Sequence, residues 1–250
     1  MSIRFEGVTK SFGSKTVLRD VSFDVPAGEI LFIIGKSGVG KSVTLKHIVG
    51  ILKPGAGRVF VDDEDVTVLD ENRLAEVRRK CGMVFQHPAL LDSLSVYHNV
   101  SFGLRTPQYT RSLPRALTER EIRDIVVEKL SLVHLGPETL DKMPPEISYG
   151  MQKRVSLART LAPGPRYLLF DEPTTGLDPI TTNAVNDLIY ELSRKLKVTS
   201  VVVSHDMNCA LKTADRILVL DQAKILAMCT PAEMKHSKEP LIIAFLAETE

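Results

Sequence analysis

The 250-residue sequence has almost no excess of charge of either sign, with 32 Lys and Arg against 31 Asp and Glu. Without a net field, nothing draws the chain as a whole onto nucleic acid or anionic lipid. Long apolar runs are missing too. Stretches such as Ile30 to Ile34 and Val198 to Val203 fall far short of the roughly 20 residues that cross a bilayer. The opening MSIRFEGVTK has none of the apolar character of a secretory leader. The expectation is a chain that stays in the compartment where it is made and reaches a membrane only through a protein partner. Cysteine is scarce as well: Cys81, Cys209 and Cys229 offer neither a paired framework nor the short spacing of a zinc site, and read as reduced, packed thiols.

A chain of this length can bury a substantial core, and an α/β fold of this size can be one domain. The first clear element is a short strand, Glu29 to Ile34. It runs into Gly35-Lys36-Ser37-Gly38-Val39-Gly40-Lys41-Ser42 and then a helical stretch from Lys41 to Gly50. Strand, glycine loop and helix in that order are the context a phosphate-binding loop requires. Gly35, Gly38 and Gly40 are expected to open backbone conformations closed to other residues, so that successive N–H groups point at phosphate oxygens. Lys41 then supplies positive charge to the β- and γ-phosphates, and Ser42 offers a hydroxyl to Mg²⁺. A second apolar strand, Tyr167 to Phe170, ends in Asp171-Glu172-Pro173. Adjacent carboxylates at a strand end suit two tasks, Asp171 holding Mg²⁺ through water and Glu172 polarising the attacking water. A third strand, Val198 to Val203, leads to Ser204-His205-Asp206, which places a histidine at the same sheet edge.

Together with Val84-Phe85-Gln86, Ile147-Ser148-Tyr149-Gly150-Met151 and Gly176-Leu177-Asp178-Pro179, these motifs resemble the ATPase subunits of ABC transporters. They occur in that family's order over essentially the whole chain, from IRFEGVTKSFG to Lys224. The resemblance implies an α/β fold with a P-loop NTPase core. That core is a mixed or parallel sheet flanked by helices, with an N-terminal antiparallel β subdomain and an inserted helical subdomain. The boundaries expected within a single domain 1–250 are 1–86 and 162–228 for the core with its β subdomain, 87–161 for the helical and signature part, and 229–250 for a helical tail. ATP and Mg²⁺ are the implied cofactors. The implied partners are a second copy of the chain and an integral-membrane permease, with no nucleic acid, at the cytoplasmic face of the inner membrane.

Residue by residue, the resemblance assigns nucleotide contacts to Gly35, Ser37, Gly38, Gly40, Lys41, Ser42 and Val43. Ser42, Gln86 and Asp171 serve the metal, and Glu172, His205 and Gln86 serve catalysis. Phe12 stands where an aromatic stacks on adenine, its alternative being a core aromatic. Ser148, Gly150 and Asp178 belong to the segments that face the partner subunit, Ser148 and Gly150 closing on the nucleotide it holds. The signature departs from the usual LSGGQ form: it keeps Ser148 and Gly150 but carries Tyr149 and Met151 in place of the first Gly and the Gln. The Tyr149 ring is expected to flank the ribose or to slow closure of the dimer.

Between Gln86 and the signature the pattern becomes helical. Thr118-Glu119-Arg120-Glu121 makes a capped start for Ile122, Ile125, Val126, Lys129, Leu130 and Val133. Thr106 to Pro114, with two prolines, reads as a loop. By resemblance, Ala89 to Asn99 line a groove that receives a helix of the permease. The segment His87 to Val96, followed by Asn99-Val100, is similar to the "ALFDSLTV…NV" segment of the ATPases in Mla and Mce lipid-transport systems, which implies phospholipid cargo and an Mce-type substrate-binding protein. Asp178-Pro179-Ile180 and Val198 to Ile217 point the same way, as does Pro231-Ala232-Glu233 with the tail to Leu246. The alternatives are an importer or exporter of small solutes, a non-hydrolysing regulatory subunit, or a non-transport ABC ATPase, which usually has a coiled-coil insertion or a second cassette. A switch GTPase would need an Asn-Lys-x-Asp segment that the sequence lacks.

Overall fold

Alternation of apolar side chains along short buried strands sets the layering of this protein. The computed structural model describes residues 2–247. Strands β1 (Ser2–Phe12), β2 (Lys15–Pro26), β4 (Ala56–Val61) and β5 (Glu64–Asp65) form an antiparallel sheet in the order β2-β1-β4-β5. A second sheet contains β3 (Ile30–Ile34), β6 (Cys81–Val84), β7 (Tyr167–Asp171), β8 (Thr199–Val203), β9 (Arg216–Asp221) and β10 (Lys224–Cys229). Its order is β10-β9-β3-β8-β7-β6, and all its neighbours are parallel except β9 with β10. Two sheets of this kind match the fold expected from sequence.

Helix α1 (Lys41–Ile48) follows β3, and α2 (Glu71–Lys80) precedes β6. From β6 to β7 the chain contributes α3 (Val96–Ser101), α4 (Pro107–Thr110), α5 (Glu119–Leu132) and α6 (Tyr149–Leu161). Helices α7 (Pro179–Leu196) and α8 (Met207–Thr213) flank β8 in sequence, and α9 (Pro231–Met234) and α10 (Pro240–Ala247) follow β10. Among the described residues no helix is long and apolar enough to cross a membrane.

Every residue of β3 is buried, but successive side chains enter different cores. Leu31 and Ile33 join the side that holds β1, β2, α1 and α2, where the Phe5 and Phe23 rings stack with centroids 4.5 Å apart. Ile30, Phe32 and Ile34 join the side that holds α5, α6 and α7. The same two-residue alternation divides Leu168 and Phe170 from Tyr167 and Leu169, and Val202 from Val201 and Val203. Each buried Val, Leu or Ile contributes about 1.5–3 kcal/mol relative to exposure, which is why sheets covered on both faces carry continuous apolar runs.

Helix α5 starts as the sequence predicts. The Thr118 hydroxyl accepts from the Glu121 amide, the Glu121 carboxylate accepts from the Thr118 amide at 2.8 Å, and Ile122, Val126 and Leu130 face the core. The stretch from Thr106 to Pro114 is not purely loop: the Thr106 side chain caps the short helix α4, with Pro107 in its first turn, where a missing amide costs nothing. All three cysteines are free thiols, and burial pushes Cys81 and Cys209 up to about 12. The apolar tail is settled in α10, where Ile242 is buried and Leu241, Phe245 and Leu246 pack on the core of the same chain. Residues 248–250 of the expected tail lie outside the described residues. Ile242→Ala is expected to destabilise the chain by about 2–5 kcal/mol, measured by urea denaturation, with a midpoint independent of protein concentration. A concentration-dependent loss would instead put this helix on a second copy.

Candidate functional site

Four adjacent parallel strands end at one edge of the second sheet, and each delivers a motif there. β3 feeds the 35–42 loop, β8 leads to His205, β7 ends at Asp171 beside Glu172, and β6 leads to Gln86. Ligands of open parallel sheets collect outside such carboxyl ends. The edge holds a cavity of about 490 Å³ lined by Ser37, Gly38, Gly40, Lys41, Ser42, Val43, Gln86, Glu172 and His205, together with Val17 and Thr175. Val17 and Thr175 carry no motif signature, and sequence reasoning missed both.

The loop backbone explains its glycines individually. Gly40 has φ 116, and a Cβ there would lie 2.5 Å from the Val17 carbonyl oxygen of β2. Gly35 does not adopt a left-handed conformation, contrary to expectation. Its requirement is space, since a Cβ would lie 2.5 Å from the Leu220 carbonyl oxygen of β9. Inside the loop, the buried Lys41 ammonium donates to the Gly35 carbonyl at 2.7 Å and to that of Lys36 at 3.2 Å, and sits 3.5 Å from Glu172 Oε1. The cation is thus held by partners in the segments that follow two strands, β3 and β7.

Ser42 Oγ donates to Asp171 Oδ1 at 2.6 Å. A hydroxyl and one carboxylate, with Gln86 lining the same cavity as Ser42, are hard oxygen donors. They fit Mg²⁺, which keeps waters and takes phosphate oxygens rather than a full protein cage. Glu172 has φ 49, and its amide donates to the Val203 carbonyl at 2.9 Å. A non-glycine residue in this region costs on the order of 1–3 kcal/mol and persists only where surrounding bonds impose it. Its Oε2 accepts from His205 Nδ1 at 2.7 Å. The residue after the histidine is anchored to two helices: Asp206 caps α8 through the Cys209 amide at 2.8 Å and accepts from Asn186 Nδ2 of α7 at 3.0 Å.

Phe12 is not a core aromatic. It is 48% exposed, with the Lys10 ammonium 5.3 Å from its ring centroid, and it does not line the cavity. Ser148, Gly150 and Asp178 do not reach the cavity either. They meet on a separate concavity of about 460 Å³, lined also by Tyr149, Arg154, Gly176 and Thr181. Ser148 caps α6 through the Met151 amide at 3.3 Å. Asp178 caps α7 through the amides of Ile180 and Thr181, and bonding to Thr181 holds its carboxyl below the usual range.

The structure also reveals two cations behind the site that no motif marks. Lys153 of α6 is 4% exposed, donates to the carbonyls of Gln86 and Pro173, and is pushed down to about 8 by burial. Arg159, lowered by desolvation, donates to the carbonyls of Ala89 and Pro88. Helical position alone does not disclose these bonds, because their acceptors are distant backbone atoms. Of the expected groove residues 89–99, Asn99 is fully buried and bonds Leu91, Leu94 and Ser95 of its own loop, so it lines no groove.

The sequence profile of the family described as ABC transporter matches residues 18–175, more than half of the chain. This protein belongs to that family. Like its cassettes, it binds ATP with Mg²⁺ and hydrolyses ATP. It is 41% identical over 247 residues to the probable ribonucleotide transport ATP-binding protein mkl of Mycobacterium leprae, covering 98% of this chain and 69% of that one. It is 36% identical over 252 residues to the methionine import ATP-binding protein MetN 1 of Yersinia pestis, covering 99% and 71%. The chain thus spans about two thirds of the length of these relatives. Among solved structures it is similar to the ATP-binding cassette MJ0796 in a dimeric post-hydrolysis state bound to ADP and Pi, with TM-score 0.80, 31% identity and coverage of 92% and 98%. It is also similar to cbiO1 from Clostridium perfringens, part of the ABC transporter complex cbiONQ, with TM-score 0.83, 29% identity and coverage of 98% and 94%. In this cassette, Gly40→Ala should strain the loop and press on β2 at Val17, costing about 1–3 kcal/mol and weakening nucleotide binding. Paired denaturation and nucleotide-titration measurements check both effects.

Proposed function

We propose that the cassette works as a homodimer that closes on two Mg·ATP and drives a membrane permease, with the chemistry assigned to the residues of the 490 Å³ cavity. The observation that carries this reading is the separation of two half-sites on one chain. The phosphate loop, Glu172 and His205 share one cavity, while Ser148, Gly150 and Asp178 share another. A second copy related by a two-fold axis brings each signature surface to the partner's loop, since an isologous interface pairs unlike patches reciprocally. The dimeric form of the similar MJ0796 cassette supports the same arrangement. In this reading the core is 1–86 and 162–228, the helical part 87–161 and the tail 229–250, at the cytoplasmic face of the inner membrane.

Lys41 and the loop amides hold the β- and γ-phosphates, while Val43 and the exposed Phe12 ring contact the nucleotide farther out. Ser42, Asp171 and Gln86 would hold Mg²⁺, which would supply positive charge against the phosphates. Glu172 orients and deprotonates the attacking water, and His205, bonded to it at 2.7 Å, fixes that carboxylate and reaches the γ-phosphate. Catalysis of this type is mostly positioning and electrostatic stabilisation.

For the cargo, the names of the relatives support a small solute, since one names probable ribonucleotide transport and the other methionine import. A specific observation supports a second reading, phospholipid transport with an Mce-type binding protein: the resemblance of segment 87–100 to Mla and Mce ATPases. These cargo-specific contacts belong to the permease, so the cassette's own residues decide between the readings only through the partner they select.

Lys41→Ala is expected to abolish tight ATP binding. Glu172→Gln should retain binding, form an ATP-dependent dimer by light scattering, and hydrolyse at least about 100-fold more slowly. Normal turnover by Glu172→Gln would refute the assigned base. Purification with native membrane partners, followed by mass spectrometry, separates the cargo readings. A soluble solute-binding protein supports import of small solutes, and an Mce-type partner with bound phospholipid supports the lipid reading.

A further inference from the structure

We propose that Lys153 is a positioning residue that, with Arg159, fastens the turn after β6 to the signature helix α6, and so couples the two nucleotide sites of the dimer. This rests on the two-half-site dimer proposed above. Within one protomer the turn after β6 carries Gln86 to its own nucleotide cavity, whereas the N-terminus of α6 carries Ser148 and Gly150 to the partner's. Any rigid connection between turn and helix therefore links one site to the other.

Three residues of α6 make that connection. Lys153 Nζ donates to the Gln86 carbonyl and, at 2.9 Å, to the Pro173 carbonyl, one residue beyond Glu172. Arg159, on the same helix, donates to the Ala89 carbonyl at 2.7 Å and to the Pro88 carbonyl at 3.1 Å, holding Ala89 at φ 49. At the outer end, the Tyr149 hydroxyl lies 3.3 Å from His87 Nδ1, and the Lys153 ammonium lies 5.5 Å from the Tyr149 ring centroid.

The chemistry of Lys153 makes it more than packing. No ion pair among the described residues includes Lys153, although its side chain is buried. A buried ammonium without a counter-ion is held by the carbonyls it bonds, so the cation stays only where the Gln86 and Pro173 carbonyls converge. Displacement of either turn, or rotation of α6, breaks that convergence. The element is thus a discrete latch between the Gln86 turn, the Glu172 turn and the signature, a physical link of the kind that coupling between sites requires. Tyr149, which stands where the family usually has glycine, extends the latch by one contact to His87.

The test uses the full-length protein. ATPase rate against ATP concentration gives kcat, KM and the Hill coefficient, fluorescent-nucleotide titration gives binding to the monomer, and thermal melting reports folding. Lys153→Met should melt cooperatively and keep monomer affinity within about twofold, while kcat falls at least about tenfold and the Hill coefficient falls toward one. Lys153→Arg should restore much of kcat. A folded Lys153→Met with wild-type kcat and Hill coefficient overturns the proposal, as does a loss of kcat matched by an equal loss of monomer affinity. Should Lys153→Met fail to fold, His87→Ala at the exposed end decides: a lowered Hill coefficient supports the latch and an unchanged one overturns it. If the wild type shows neither cooperativity nor an ATP-dependent dimer with Glu172→Gln, the dimer reading fails and the latch falls with it. That result is distinct from an intact dimer whose cooperativity the variants leave untouched.

Discussion

The constraint on which the rest of this structure depends is the parallel register of β3, β8 and β7. Ile33 pairs with Val203, and Val203 pairs with Asp171. That alignment brings the loop after β3, the carboxylates after β7 and the histidine after β8 to the same level. The amide of Glu172 then bonds the Val203 carbonyl, which extends the register one residue past the ladder. A slip of one residue would exchange the two cores along the strand and at the same time withdraw Asp171 from Ser42. Packing and chemistry are therefore fixed by one set of backbone bonds.

Sequence reasoning read the parts of this architecture that have short-range signatures. The run from Ile30 to Ile34 followed by a glycine loop specifies a strand, a turn and a helix locally, and Thr118 with Glu121 specifies a helix start. The pairing of Asp171 with Ser42 was foreseeable as chemistry, because both ends of two motifs ask for the same metal. Groups whose partners are distant backbone atoms carry no such signature. Lys153 and Arg159 look like ordinary helix-surface cations until the carbonyls of residues 86–89 are brought against α6. Gly35 is a subtler case: the glycine is plain in the sequence, but its cause is the nearby β9 backbone rather than its own dihedral angle.

The site stores its irregularities where neighbours enforce them. Glu172 is left-handed between a β8 hydrogen bond and His205, and Ala89 is left-handed under the Arg159 guanidinium. Neither conformation is favoured alone, and each is maintained by a contact from a different element. Two residues that the proposed dimer turns toward its partner, Ser148 and Asp178, also cap the helices they begin. Their side chains are committed to holding α6 and α7 in direction, so substitution at either position alters a helix terminus as well as the surface.

The buried Asn99 carboxamide joins Leu91, Leu94 and Ser95, so the exposed loop before α3 is already ordered in the isolated chain. Leu91 is displayed on that loop at 41% exposure. A partner that docks there meets a shape formed in advance and loses little conformational entropy in the loop on binding.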